Sequence, residues 1–289
     1  MRCACIDVGS NTTRLLVAES IPGGIRDLHN ERLFTLIGRS VVEGRIPPWK
    51  IEETAAAVAN QAERARRMGA ERVRAVATAA IRRASNAAEL ADAVESRASL
   101  RLEVLTGDEE ARLAYRGAAN ALGEPGSLVV IDLGGGSTEL AFGDAEGRIE
   151  HALSVPVGSS TLAGRHLEHD PPHRDEIAAA REDAATAFSA VEPREVDRAV
   201  AVGGSASSLQ HLAGRELGEV ELAEALDLLL TESSWDIARR FELDSDRVRL
   251  LPAGLVILSE LSRRLRRPLR VCKGGLREGV ILDMLGNPT

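Results

Sequence analysis

The stretch Leu128-Val-Val-Ile-Asp-Leu-Gly-Gly-Gly-Ser-Thr-Glu-Leu-Ala-Phe142 reads as a strand, a tight turn and a returning strand. A second stretch of the same kind opens the chain, Cys3-Ala-Cys-Ile-Asp-Val-Gly-Ser-Asn-Thr-Thr-Arg-Leu-Leu-Val-Ala18. Laid over each other with a shift of 125 residues, Ile6 meets Ile131, Asp7 meets Asp132, Gly9 meets Gly134, Thr13 meets Thr138 and Leu15 meets Leu140. An internal duplication dictates architecture. This one implies two similar halves, each opening with an aspartate-tipped hairpin.

Around the hairpins, helical and strand patterns alternate. Ile51 to Met68 reads as a helix ended near Gly69, Arg72 to Thr78 as a strand, Asn86 to Ala98 as a helix with Asn86 as N-cap, and Leu100 to Leu105 as a short strand. Gly107 to Leu122 is helical and runs into the breaker Gly123-Glu-Pro-Gly126, which sets the expected division into 1–125 and 126–289. Beyond it, Asp175 to Val191, Glu221 to Leu230, Ser234 to Phe241 and Gly254 to Arg267 read as helices. Ala199 to Val202 and Leu269 to Cys272 read as strands, and a closing helix, Leu276 to Leu285, either stays with the second half or packs back on the first. The expected class is α/β.

Composition narrows the function classes. The chain has 289 residues, 44% hydrophobic and 28% charged, a globular balance. With two Trp, one Tyr and four Phe its core is aliphatic. No apolar run reaches the roughly 20 residues of a membrane span, and the N-terminus meets Asp7 before a signal-length hydrophobic region develops. Three cysteines make no disulfide framework, so the expected setting is the cytoplasm, with no membrane partner. A net charge of −8, carried by the second half, makes the molecule a poor general binder of nucleic acid. An anionic ligand therefore needs local donors.

Three loops offer such donors. Gly9-Ser-Asn-Thr-Thr13 and Gly134-Gly-Gly-Ser-Thr138 combine small residues with hydroxyls, so backbone N–H groups can converge on an anion. Gly203-Gly-Ser-Ala-Ser-Ser208 follows a buried strand and opens a helix, a further phosphate position. Asp7 and Asp132, at strand ends beside these loops, either cap the turns or hold Mg²⁺ through water. Glu139 returns towards Asp132, and acids grouped beside a phosphate site need a cation to offset their repulsion.

These residues carry a family resemblance. Ile6-Asp-Val-Gly-Ser-Asn11, Ala77-Thr-Ala-Ala-Ile-Arg-Arg-Ala-Ser-Asn86, Thr106-Gly-Asp-Glu-Glu-Ala-Arg112, Val130-Ile-Asp-Leu-Gly-Gly-Gly-Ser-Thr-Glu139, Asp170-Pro-Pro172 and Gly275-Leu-Arg-Glu-Gly279 resemble the exopolyphosphatase/guanosine pentaphosphate phosphatase family, in the expected order over about residues 3 to 285. The resemblance implies two ribonuclease-H-like (actin-like ATPase) domains with a cleft between them, in the short form without an additional C-terminal helical domain. It implies hydrolysis of a terminal phosphoanhydride of inorganic polyphosphate with Mg²⁺ or Mn²⁺. By that resemblance Glu110, 22 residues before Asp132, is the general base, and Asp7, Asp132 and Glu139 are the cation and water ligands. Ser10, Asn11, Thr12, Thr13, Arg14 and Arg82, with Gly134, Gly135, Gly136, Ser137, Thr138, Gly204, Ser205 and Arg247, are the substrate-binding set.

The chain departs from the family pattern at Thr161, where many members carry arginine, in lacking a His-Gly pair around Gly214 to Glu221, and at Ser205, where Thr is expected. Guanosine pentaphosphate or a nucleoside triphosphate is therefore the alternative substrate. A kinase- or chaperone-like nucleotide switch and a phosphate-ligand sensor are the rival classes. A homodimer is the commonest assembly for such a chain.

Other features read as structural. Cys3 and Cys5 share a strand face as small buried hydrophobes. His166, His169 and His173 read as surface residues, since Pro171-Pro172 breaks any helix that would align them as metal ligands. The run Arg263, Arg264, Arg266, Arg267 and Arg270 reads as a solvated face, with guidance of polyphosphate as the alternative. Trp49 and Trp235 read as packing residues. Ser159 and Ser160 have no base fixed beside them by any motif.

Overall fold

A computed structural model describes residues 1–144, 146–192 and 194–286. Its elements in order are β1 (Arg2–Val8), β2 (Thr12–Ile21), β3 (Gly24–Phe34), α1 (Ile37–Ser40), α2 (Pro48–Arg67), β4 (Arg72–Ala77), α3 (Ala79–Arg83), α4 (Ala87–Ala98), β5 (Leu102–Val104) and α5 (Gly107–Leu122). There follow β6 (Ser127–Leu133), β7 (Thr138–Asp144), β8 (Ile149–Val155), α6 (Ser159–His166), α7 (Arg174–Ala187), β9 (Arg198–Val202), α8 (Gly204–Ala213) and β10 (Glu216–Leu217). The chain closes with α9 (Glu219–Thr231), α10 (Ser234–Phe241), α11 (Ser245–Val248), α12 (Leu251–Leu265), β11 (Leu269–Val271) and α13 (Leu276–Leu285). One compact unit comprises Met1–Ala121 with the chain from Gly274 onward, the other Leu122–Lys273. The expected division after Pro125 thus shifts by a few residues, and α13 joins the first unit rather than the second.

Each unit carries the ribonuclease-H-like order. The first sheet runs β3-β2-β1-β4-β5 and the second β10-β11-β9-β6-β7-β8. In both, an antiparallel hairpin is extended by a third strand on one side and by parallel strands on the other. The duplication holds in fine detail. A register shift interrupts the pairing of β2 with β3 between Val17 and Ala18, and of β7 with β8 between Phe142 and Gly143. These are the same positions under the repeat. The third strands β3 and β8 escape a reading by hydrophobic pattern because both lie beside the hairpin with largely exposed or half-buried side chains. Charged residues along such a strand also discourage pairing with another chain.

Burial on both faces explains why β1 is nearly all apolar. Ala4, Ile6 and Val8 pack with Leu15, Val17 and the apolar faces of α2 and α4, including Val58 and Leu90. Cys3 and Cys5 point the other way and pack with Leu16, Leu113 of α5, and Leu276, Val280 and Ile281 of α13. Period-2 alternation therefore turns Asp7 towards the α5/α13 side. In the second unit Val129, Ile131 and Leu133 share a core with Leu140, Phe142 and the inner residues of α7, α8 and α12.

Several local expectations change. Asn86 stands at the N-cap position of α4 but makes no capping bond with its side chain. Its amide instead exchanges two bonds with the main chain of Ile46, at 2.9 and 3.0 Å, and donates to Glu89. A buried amide with four bonding sites holds a neighbouring segment better than it caps one turn. Trp49 and Trp235 are both 60% exposed, not packed. Each lies under a cation, Lys50 Nζ and the Arg239 guanidinium, both 4.7 Å from the ring centroid. The turn before α7 wraps the Glu176 carboxylate. Burial works to raise its pKa, but hydrogen bonds from the main chain of Glu168 and His173 and from His169 outweigh it and draw the value down to about 2.

Two predictions follow from this packing. A Cβ at Gly279 would overlap the carbonyl of Leu113, so α5 and α13 meet backbone to backbone there. Gly279→Ala is expected to lower unfolding free energy by about 1–3 kcal/mol, the range for overpacking, measured by urea denaturation. Glu176 holds its proton less tightly folded than unfolded, so its contribution is complete above the ordinary glutamate pKa and fades as pH falls from 4.5 to about 2. Glu176→Gln should be less stable than wild type at neutral pH, and the difference should shrink across that window in acid titrations followed by circular dichroism.

Candidate active site

In the first unit, β1 turns into β2 through a tight loop closed by Gly9 N donating to the Thr12 carbonyl at 3.0 Å. The chain after β3 folds back on it, with Leu36 N donating to the Asn11 carbonyl (2.9 Å) and Gly38 N to the Ser10 carbonyl (2.7 Å). These bonds occupy the loop's carbonyl oxygens, which leaves anion binding to amides and hydroxyls. Beneath the loop lies a buried polar seam from α2. Lys50 Nζ donates to the Thr35 carbonyl and to Glu53, both at 2.8 Å, the Thr35 and Thr13 hydroxyls meet at 3.1 Å, and Gln61 Nε2 donates to the Thr13 carbonyl at 3.3 Å.

The second unit repeats the loop. Gly134 N donates to the Ser137 carbonyl at 3.1 Å. Here the first turn of α6 supplies the lid over the carbonyls: Ser159 N donates to Gly134, and Ser160 N and Thr161 N to Gly135, at 2.9 to 3.1 Å. Thr161 adds its hydroxyl, 3.3 Å from the carbonyls of both Gly135 and Gly136. Ser159 Oγ likewise donates to Gly134, so Ser159 is a strut of the loop and not a nucleophile. Thr138 donates to the Val157 carbonyl at 2.7 Å. Thr13 and Thr138 are both fully buried. A buried hydroxyl must find a partner in the protein, and here each braces its loop from behind.

Strand register decides which side chains share the acid site. Asp7 pairs with Arg14 across β1 and β2, and Asp132 with Glu139 across β6 and β7. Directly opposed residues project from the same face. Asp7 Oδ1 is buried without a hydrogen-bond partner. Burial pushes the Asp7 carboxyl up from its usual range, while Arg14 and then Arg277 pull it down and Glu278 adds to the rise. Arg277, on α13, is itself buried and donates to Asn30 Oδ1 at 2.9 Å. Its place beside Asp7 was not legible from chain order; the Gly275–Gly279 motif was its one signal. In the second unit Glu139 is buried and accepts from Ser154 Oγ at 2.7 Å. An orphaned carboxylate oxygen in one unit and two same-face acids in the other are donor sets that suit a hard divalent cation.

The third loop follows β9. Gly203 adopts φ +96°, and a Cβ there would stand 2.5 Å from the Leu133 carbonyl and 2.9 Å from Asp132 Oδ1. Only glycine lets β9 end this close to Asp132. Arg247, on α11, donates from Nη2 to the Gly204 carbonyl at 2.5 Å, which sets its guanidinium over the start of α8. Ser205 lies on the first turn of α8, where main-chain amides await partners.

Glu110 stands in the first turn of α5 and is buried. Its Oε2 accepts from Arg82 Nη1 at 2.8 Å, and the same nitrogen donates to the Leu105 carbonyl at 2.8 Å. Arg82, expected on substrate, thus also orients the candidate base. The neighbour Glu109 has the other role open to an acid at a helix start. It accepts from Thr106 N and Oγ1 at 2.8 Å while Thr106 Oγ1 accepts from Glu109 N at 3.2 Å, a capping box. The basic run 263–270 is largely neutralised. Arg263 and Arg264 both bind Glu260, and Arg270 binds Glu124 and Glu216. His169 and His173, parted by the Pro-Pro pair in sequence, stack with centroids 3.8 Å apart because the turn folds them together without a helix.

Comparison with known proteins places these features in context. The model of the Ppx/GppA phosphatase family matches residues 16–288. Exopolyphosphatase 2 of Mycobacterium tuberculosis is 33% identical, with 99% of each chain covered. The crystal structure of the Aquifex aeolicus Ppx/GppA family member superposes with a TM-score of 0.84 at 31% identity, over 99% of this chain and 97% of that one. An exopolyphosphatase from Cytophaga hutchinsonii, 20% identical, shares the fold with a TM-score of 0.89, over 99% of this chain and 98% of that one. The two mixed sheets with their helices form the two-domain actin-like fold of these structures.

Removing one partner of a buried ion pair leaves the other desolvated and alone. Arg82→Met is therefore expected to lower unfolding free energy by about 1–3 kcal/mol. The double variant Arg82→Met/Glu110→Gln should recover part of that loss in a double-mutant cycle by chemical denaturation. Strictly additive losses would mean that the two side chains are not coupled.

Proposed function

Because this chain belongs to the Ppx/GppA phosphatase family and is a phosphoanhydride hydrolase, we propose that it removes the terminal phosphate of inorganic polyphosphate, using Mg²⁺ or Mn²⁺, in the cytoplasm. The observation that carries this reading is the Arg82–Glu110 pair. A carboxylate buried in the first turn of a helix, with one oxygen fixed by a guanidinium, is oriented to accept a proton from an attacking water.

Each residue set has a distinct task. The amides and hydroxyls of Ser10, Asn11 and Thr12 in one unit, and of Gly134 to Ser137 with Gly204 and Ser205 in the other, bind phosphoryl oxygens. Arg14 and Arg247 add planar, permanently charged donors suited to phosphate. The water oxygen attacks the terminal phosphorus, its proton passes to Glu110, and the bridging P–O bond breaks towards the shortened chain. Fixed donors meet the charge that spreads over the phosphoryl oxygens in a loose transition state. Asp132 and Glu139 in the second unit, and Asp7 in the first, are the carboxylates that would serve as cation ligands, and a bound cation would offset negative charge on the phosphates. Thr161 takes two glycine carbonyls, which supports a loop braced by hydrogen bonds where an arginine would add a charge.

The test is phosphate release from polyphosphate, guanosine pentaphosphate and ATP by wild type and Glu110→Gln. Metal-dependent release is expected, fastest from polyphosphate, and at least roughly 100-fold slower in the variant, the lower end for loss of a general base. Equal rates for the two proteins remove Glu110 from the mechanism, and preference for guanosine pentaphosphate transfers the substrate assignment to it.

A further inference from the structure

The turn ahead of α7 holds a cluster that the phosphate chemistry does not use. We propose that His169 and His173 bind one borderline divalent cation of the Zn²⁺ type, with Glu176 behind His169 to orient its ring.

The main chain sets both histidines in place. Glu176 Oε1 accepts from Glu168 N at 2.7 Å and His169 N at 3.3 Å, and Oε2 accepts from His173 N at 2.6 Å. The histidines are thus tied to one carboxylate on the first turn of α7 and to each other through it. The ring chemistry follows from the same group. The Glu176 carboxylate already accepts from three main-chain N–H groups, and a carboxylate in that setting acts as an acceptor. The His169 Nδ1 contact at 3.2 Å is therefore an N–H donated to Glu176 Oε1. That leaves the Nε2 lone pair of a half-exposed ring for a ligand bond. A carboxylate behind a histidine in this way is the usual partner of a metal-bound imidazole, fixing its tautomer and raising its basicity.

The distances suit one ion. Ligand atoms of His169, His173 and Glu176 all lie within 4.8 Å of one another. Two nitrogens on a tetrahedral ion with Zn–N of roughly 2.0–2.1 Å stand about 3.4 Å apart. The rings stack at 3.8 Å with 17° between their planes. Both rings are exposed, so rotation about their side-chain torsions can aim a nitrogen of each at one ion without disturbing the core. Water completes the coordination. Imidazole selects Zn²⁺, Cu²⁺ or Ni²⁺ over Mg²⁺, which separates this site from the carboxylates of the phosphate chemistry by ligand type.

The probe is Zn²⁺, titrated calorimetrically into the full chain held in excess Mg²⁺, so that the carboxylate sites are already loaded. Wild type and His151→Ala, a change at an exposed histidine on β8, should each take up one equivalent at micromolar concentration. His169→Ala and His173→Ala should each weaken that uptake by roughly tenfold or more. Zn²⁺ should also raise the melting temperature of wild type and not of the two variants, because a ligand that binds only the folded state stabilises it. Neither variant touches the main-chain bonds to Glu176, and equal melting temperatures without Zn²⁺ check that the turn is intact. Equal Zn²⁺ affinity in wild type and both variants, or no uptake by wild type, overturns the proposal. The readout is independent of phosphate release, so this site and the proposed activity stand or fall separately.

Discussion

Everything at the candidate active site hangs on the pairing register of two hairpins. Asp7 opposite Arg14 and Asp132 opposite Glu139 are consequences of which residue faces which across β1–β2 and β6–β7. A slip of one residue would turn each side chain to the other face of its sheet. Because β1 and β6 are covered on both faces, a slip would drive Asp7 or Asp132 into the apolar core on the opposite side of its sheet. The same core that stabilises each sheet therefore aims its carboxylate. Duplication then gives two outcomes from one template. The first half sets an acid against a cation, while the second sets an acid against an acid, which a metal ion can relieve.

The loops at the strand ends show a shared economy of hydrogen bonds. Each turn has its carbonyls covered by a neighbouring segment, Leu36 to Gly38 in the first unit and the start of α6 in the second. Covering the carbonyls satisfies groups that would otherwise repel an anion. Buried hydroxyls at Thr13 and Thr138 brace the loops from beneath. Glu109 and Glu110 divide two roles in the same way. One closes a capping box and starts the helix, and its neighbour, turned inward by about 100° on the helix, meets Arg82.

Long-range contacts add a layer that runs against chain order. The last helix returns to the first unit, carries Arg277 to the surroundings of Asp7, and meets α5 where Gly279 faces Leu113. Arg247 reaches back over Gly204 from a four-residue helix that no pattern announces. His169 and His173 meet across two prolines through a turn organised by Glu176. In each case the partner lies far along the chain or beyond a break in its periodicity.

The hairpins, their shared shift of 125 residues and the glycine-hydroxyl turns were legible in the linear chain, because strand alternation and turn chemistry are local. Glu110 was singled out by the resemblance of Thr106 to Arg112 to the family motif, 22 residues before Asp132, and not by its local pattern. The edge strands β3 and β8 were not legible, since they bury too little to leave a hydrophobic signature. The exposure of Trp49 and Trp235 and the bracing role of Thr13 and Thr138 were equally hidden, and of the two places the sequence left open for α13 only packing selects the first unit. Burial and hydrogen-bond partnership are properties of neighbours in space, and packing alone chooses those neighbours.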